Sequence, residues 1–309
     1  MTPTDGFVGV TGASGQLGML AAQALMNRIA PKTVVLLSRT PERLTAFREN
    51  GAQVRPCDLD DADELPRAFA GLSTLLVIST DALGRRVAQH AAAIEAARRA
   101  GVKRIVYTSF LGAEPGNPAL VARDHGATER LLRGSGLEWT ILRNAQYAEA
   151  ILDVIMPNAL ALGEWRSSGG GGRIAPVARQ DCAECAAAAL LRPDLAGCTL
   201  NIVGSHLLTY RDMAAMMAAM AGKPVRFMPV DDGGLYAVFD AIGAPRSPAD
   251  IAPGGFPWCS DDMVSFEASL REGWFDVQSG DAQMLMGRPP QAFADLLKDS
   301  LRARKETAA

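Results

Sequence analysis

The sequence predicts an α/β fold in which a parallel sheet is covered by helices on both faces. Short, continuous apolar runs rich in Val, Ile and Leu alternate with helical segments over the first 145 or so residues. Such runs are what strands buried on both faces require, and strict alternation of strand and helix implies parallel pairing through helical crossovers. The first run is also followed at once by a glycine-rich turn and an apolar helix.

Strands are expected at residues 7–10, 33–37, 53–57, 74–78, 104–108 and 139–143. Helices are expected at 19–25, 41–50, 65–70, 84–100 and 123–135, several of them ended by a glycine (Gly51, Gly71, Gly136). Beyond Tyr147 the alternation weakens. This suggests a nucleotide-binding domain over residues 1–150 and a smaller, mostly helical substrate-binding portion over 151–309, whose strands are free to return to the main sheet. There, helices are expected at 181–192 and at 209–221 with Thr209 as N-cap, and a strand at 199–203. The four consecutive glycines 169–172 read as a flexible surface tract, since no helix follows them immediately. Met213, Met216, Met217 and Met220 recur at helical spacing and read as a core face. The last third, with Phe256-Pro257-Trp258 and Trp274-Phe275, reads as mixed and mostly helical.

Composition narrows the function classes. At 309 residues and 48% hydrophobic content, with mean hydropathy +0.06, the chain can bury a substantial core. A net charge of −3 carries no basic surplus for a nucleic-acid partner. No apolar stretch reaches the roughly 18 residues a membrane span needs, and residues 1–6 lack the pattern of a secretory leader, so a cytoplasmic protein is expected. The cysteines Cys57, Cys182, Cys185, Cys198 and Cys259 are odd in number and scattered. The C-x-x-C at 182–185 opens an alanine-rich helix and reads as small buried residues, and no metal site is expected.

The turn after the first strand, Gly12-Ala13-Ser14-Gly15-Gln16-Leu17-Gly18, is of the kind that binds a dinucleotide in a Rossmann-type, doubly wound sheet. Gly12 turns the chain out of the strand, Gly15 lets backbone approach a pyrophosphate, and Gly18 lets the helix pack closely. At the end of the second strand an NAD site carries an acid for the ribose 2′-hydroxyl. This chain has Ser38-Arg39-Thr40, and a guanidinium beside hydroxyls suits a 2′-phosphate, so NADP(H) is the expected cofactor.

With Cys57-Asp58-Leu59, the run Ala100 to Ser109 and Leu142-Arg143-Asn144-Ala145-Gln146-Tyr147, these motifs resemble the atypical short-chain dehydrogenase/reductases of the NmrA-like group. Within it the chain is most similar to bacterial NADPH:quinone oxidoreductases of the second type and to triphenylmethane dye reductases. The resemblance implies Gly12, Ser14, Gly15, Gln16, Leu17 and Gly18 around the pyrophosphate and Arg39 at the 2′-phosphate. It further implies Asp58 and Leu59 beside adenine, and Ser79, Thr80 and Asn144 nearer the nicotinamide. It implies an oxidoreductase that passes a hydride to a quinone-like or other conjugated small-molecule electron acceptor, acting as a monomer or homodimer.

One departure bears on mechanism. Typical family members use a Tyr-x-x-x-Lys pair for proton transfer, and here the corresponding helix has His125-Gly126-Ala127-Thr128-Glu129. A carboxylate one turn away is expected to raise the pKa of His125 and make it a proton donor; the same spacing also reads as a helix-surface contact. Tyr147, just beyond the sixth strand, is a second candidate donor or a platform for a flat acceptor. Two other readings stay open: a catalytically silent NADP(H) redox sensor of the NmrA type, and a biosynthetic reductase for one dedicated ketone, imine or enone.

Overall fold

Strands buried on both faces need apolar side chains on both, and the central ones have them. In the computed structural model, which describes residues 6–252, 255–256 and 258–308, β1 (Phe7–Val10), β2 (Val34–Ser38), β4 (Leu72–Val77) and β5 (Arg104–Phe110) are almost wholly buried. The half-exposed β3 (Gln53–Pro56) forms one edge, and β6 (Glu138–Asn144) and β9 (Cys198–Ile202) lead to the other. The order is β3-β2-β1-β4-β5-β6-β9 with every pair parallel. Strand order reverses between β1 and β4, and a ligand crevice belongs at that reversal, beyond the strands' carboxyl ends. Residues 1–5, on which the expectation about a leader rests, and Pro257 of the aromatic stretch lie outside the described residues.

Helices cover both faces: α1 (Gln16–Met26), α2 (Thr45–Glu49), α3 (Leu65–Ala68), α4 (Arg86–Arg99) and α5 (Leu120–Arg133). The helix expected over 41–50 is split into a 3-10 turn, Pro41–Leu44, and the short α2. Next come α6 (Ala148–Ala150), a π-helical turn Ile151–Ile155, α7 (Met156–Leu162), β7 (Glu164–Ser167), β8 (Arg173–Ile174) and α8 (Arg179–Leu190). After β9 the chain continues through β10 (Leu208–Thr209), α9 (Tyr210–Ala221), β11 (Arg226–Pro229), α10 (Asp232–Ala241), α11 (Ser260–Arg271), α12 (Asp281–Met286) and α13 (Phe293–Ala308). Thr209 caps α9 in a reciprocal pair with Asp212. β7 pairs in parallel with β11, and β8 antiparallel with β10.

Small residues let α8 lie close to α1. Ala183, Ala186 and Ala187 of α8 and Ala21 and Ala22 of α1 are fully or almost fully buried in one core. Cys182 and Cys185 share that core as free thiols, and burial pushes the Cys185 thiol up to about 12. Buried Arg104 of β5 satisfies the carbonyl end of α8, donating to Ala189 O, Leu190 O and Arg192 O. Met213 and Met217 fill the core, whereas Met220 is 43% exposed, so the methionine face is narrower than its spacing suggests.

The glycine tract lies at the surface at Gly170 and Gly171, as expected, but its ends are packed: Gly169 and Gly172 lie against Leu270 of α11. The buried Glu267 carboxylate accepts from Ser167 Oγ and from the N–H groups of Ser168 and Gly169. A Cβ on Gly172 would stand 2.0 Å from Leu270 O, whereas one on Gly171 meets nothing within 4 Å. Gly172→Ala is therefore expected to lower the urea unfolding free energy by about 1–3 kcal/mol through overpacking. Gly171→Ala should stay within about 0.5 kcal/mol of the parent.

Candidate cofactor and acceptor site

The turn after β1 is tied to the sheet by Thr11, whose Oγ1 donates to Leu76 O and accepts from Ile78 N. Gly12 then takes φ +61°, the left-handed conformation that glycine adopts without strain. Gly15 N donates to Gly12 O at 2.9 Å. A Cβ on Gly18 would stand 2.1 Å from that same oxygen, so the close approach made by Gly18 is to the turn itself. Gly15 is the N-cap of α1 and brings no side chain to cap it. The first N–H groups of α1, at Gln16, Leu17 and Gly18, thus lack intrahelical partners and face outward, as an anion site requires.

Ser14 joins this turn to the end of β2. Its Oγ lies 2.6 Å from Ser38 Oγ and accepts from Thr40 Oγ1 at 2.9 Å, while Thr40 N donates to Ser38 Oγ. These hydroxyls hold the backbone on either side of Arg39, and the role of Ser38 and Thr40 as a brace was not read from sequence. Exposed Arg39 lines a cleft of about 490 Å³ with Arg55, Cys57, Asp58, Asp61 and Leu65. Arg55 is already engaged by Ala68 O, Ala70 O and Gln53 Oε1, whereas Arg39 and Arg67 also line the cleft, Arg67 beside Glu64. Leu59 packs on the core beneath while Asp58 lines the cleft, so these two neighbours face different environments.

On the other side of the reversal, Ser79 N donates to Thr108 Oγ1. Every polar group of Thr80 is held by one face of α4: its N–H by His90 Nε2 (3.1 Å), its O by Arg86 Nε (2.7 Å) and its Oγ1 by Gln89 Oε1 (2.7 Å). Arg86, Gln89 and His90 fall at i, i+3 and i+4. Sequence reasoning missed them, and polar residues at that spacing in an alanine-rich helix were the available signal. Asn144 Nδ2 donates to the Tyr147 hydroxyl at 3.2 Å, and the buried Asn144 Oδ1 has no hydrogen-bond partner among the described residues. Burial pushes the Tyr147 phenol above its ordinary pKa, and the Arg179 guanidinium lies 5.1 Å from the ring centroid. As a proton donor this phenol is weaker than a free one. Next to Thr80, a second cleft of about 760 Å³ has Leu83, Pro248, Ile251 and Phe256 as apolar wall and Asp81 and Arg85 as charges.

His125 and Glu129 depart from expectation. His125 is 4% exposed, its Nδ1 lies 2.8 Å from the Tyr107 hydroxyl, and Phe110 stacks obliquely at 6.0 Å. Burial holds its pKa well below the ordinary imidazole value, and the Arg86 charge acts in the same direction. Glu129 does not raise it, because stronger donors take the carboxylate: Arg143 binds it twice, with Nε and Nη2 each at 2.9 Å, and Ser109 Oγ and Arg133 add further bonds. Ser109 and Arg143 are register partners on β5 and β6, so both reach one carboxylate. Glu129 is a structural ion-pair residue, and His125 is a neutral imidazole. No cluster of potential metal ligands occurs among the described residues.

Fold and turn together define a dinucleotide-binding α/β protein. A family model described as NAD(P)H-binding matches residues 12–193, and the chain belongs to that family. It is 34% identical to quinone oxidoreductase 2 of Escherichia coli (strain K12) over 93% of this chain and 96% of that protein. The crystal structure of the E. coli enzyme complexed with NADPH superposes with a TM-score of 0.87 and covers 95% of this chain and 99% of that one, at 30% identity. The chain is 25% identical to the NAD(P)H azoreductase of Xenophilus azovorans over 94% of this chain and 96% of that protein. The Citrobacter sp. triphenylmethane reductase complexed with NADP(H) matches with a TM-score of 0.85 at 28% identity, covering 95% and 99% of the two chains. No helix of the described residues is long and apolar enough to cross a membrane.

Two outcomes follow from the charges. Glu129→Gln leaves the Arg143 guanidinium, whose side chain is 12% exposed, without its buried counter-charge. A loss of about 3 kcal/mol is expected by chemical denaturation. His90, with its pKa pressed down to about 3 mainly by burial, stays neutral in the folded state while the unfolded chain protonates it below about 6.5. Its contribution is complete above that pH and is lost as pH falls toward 3. His90→Gln should therefore flatten the acid limb of stability against pH between 6.5 and 4, by up to about 1.4 kcal/mol per pH unit.

Proposed function

We propose that this protein is an NADPH-dependent oxidoreductase that passes a hydride to a quinone-like or other conjugated electrophilic acceptor. The observation that carries the reading is the proton chemistry of the site. Where typical relatives keep a Tyr-x-x-x-Lys pair, this chain has a neutral, buried His125, and the other candidate, Tyr147, is a weakened acid. Such a site suits an acceptor whose reduced anion is delocalised and weakly basic, so that water serves as the proton source and positioning is the main task. The names of the relatives, a quinone oxidoreductase and an azoreductase, favour the same acceptor class.

The residues present fit the cofactor. The uncapped start of α1 and the Gly12–Gly18 contact leave room and N–H donors for a pyrophosphate. Arg39 is assigned to the 2′-phosphate, Asp58 to the adenine side, and the unpartnered Asn144 Oδ1 to an N–H of the nicotinamide carboxamide. NADPH supplies the hydride when bound. The cleft beside Thr80 is assigned to the acceptor: its apolar wall excludes water from a flat ring, and Asp81 and Arg85 lie at its polar edge. All five cysteines are free, which suits the cytoplasm, a reducing compartment.

The test is turnover of NADPH by the purified protein against a panel of quinones; tight NADPH binding with no turnover of any of them would overturn the reading in favour of a redox sensor. Arg39→Asp is expected to raise the KM for NADPH about ten- to a hundredfold, the worth of charge-assisted bonds to phosphate. NADH should be little affected, and an equal loss for both cofactors would remove Arg39 from the 2′-phosphate.

A further inference from the structure

A single backbone N–H sets the direction of a buried hydrogen-bond chain that runs from the cofactor loop to His125. Thr80 N donates to His90 Nε2 at 3.1 Å, and a backbone N–H can only donate, so Nε2 is an acceptor and the hydrogen of His90 sits on Nδ1. That hydrogen faces Thr128 Oγ1 at 2.9 Å and the Tyr107 hydroxyl at 3.3 Å. Thr128 gives its own hydroxyl hydrogen to Asp124 O, so it has none for Tyr107. We assign the phenol hydrogen of Tyr107 to its nearest acceptor, His125 Nδ1, at 2.8 Å. His125 is left with hydrogen on Nε2.

We propose that His90 is a positioning residue that holds the Thr80 peptide at the cofactor loop and, through Tyr107, sets His125 in the tautomer with hydrogen on Nε2. The arrangement is enclosed on every side. Tyr107, His90 and Thr128 are buried, Phe110 packs on His125 and is itself backed by Phe266 and Phe275, and the charged groups around it pair with one another. Arg86 donates to Thr80 O and to Asp124, and Asp262 of α11 faces the same guanidinium. A second proton on His90 would point an N–H at the Thr80 N–H, so the geometry itself opposes protonation.

The consequence for chemistry rests on the oxidoreductase reading above. Giving up the Nε2 hydrogen would require Tyr107 to become a buried phenolate, which burial disfavours. His125 is thus a fixed, neutral imidazole and not a source of protons.

The chain holds three histidines, and His206 is exposed, so long-range 1H–15N spectra of the apo protein resolve the question without cofactor or acceptor. Between pH 5.5 and 8, His90 and His125 should stay neutral as opposite tautomers, with hydrogen on Nδ1 and Nε2 respectively. In Tyr107→Phe, His90 should keep its pattern and His125 should become a mixture. Hydrogen on Nδ1 of His125 in the parent, or an unchanged His125 in Tyr107→Phe, overturns the proposal. Separately, His90→Leu should weaken NADPH binding about tenfold, the worth of one buried hydrogen bond. His90→Gln, whose side-chain oxygen restores an acceptor for Thr80 N, should recover most of that loss; equal losses in the two variants would remove the positioning role. If the spectra come out as expected but no quinone is turned over, the functional reading alone fails.

Discussion

The contact between Gly18 and the carbonyl oxygen of Gly12 sets how close α1 comes to the end of β1. With a Cβ at 2.1 Å from that oxygen, any side chain at 18 would lift the helix off the turn and move its first N–H groups away from the crevice. Ala21, Ala22 and Leu25, which seat α1 on the core, would move with it. The alanine face of α8 against α1 extends the same constraint, because small side chains hold the layer at close approach. Arg104 then ties the far end of α8 back to β5 by its last carbonyls. One sub-van der Waals allowance at a glycine thus aligns a turn, two helices and the strand ends around the crevice.

Charge is distributed in this protein so that the strongest donors serve structure, while the two inner histidines stay neutral. Glu129 and Arg143 form a buried, bidentate pair that pins α5 across β5 and β6. Their mutual neutralisation removes a carboxylate from the neighbourhood of His125, and burial among aromatic rings then keeps both inner histidines uncharged. A site of this kind exerts little acid strength and much directional control, which matches hydride delivery to an acceptor that tolerates solvent as its proton donor.

α11 couples the later part of the chain to this site. Glu267 and Leu270 hold the glycine tract, Ser265 Oγ accepts from Leu120 N at the start of α5, and Asp262 faces Arg86 beneath Thr80. Residues far along the sequence thereby support the loop that the first half supplies. β9 does the same for the sheet, since residues 198–202 extend its edge beside β6.

Much of this was legible in the chain. Continuous apolar runs, helix-ending glycines and the glycine turn placed the strands, the helices and the crevice, because those signals depend on local backbone geometry and burial on both faces. Ser38-Arg39 marked the edge of the cleft that Arg39 lines for the same local reason. What only the tertiary structure decided was partnership. The spacing of His125 and Glu129 showed that they share a helix face, but not that Arg143, fourteen residues beyond Glu129 and register partner of Ser109, would claim the carboxylate. Nor could four consecutive glycines disclose that Leu270, a hundred residues away, would press against them. A titratable group takes its properties from whichever charges and donors lie nearest in space, and sequence spacing measures that distance only within a single helix or strand.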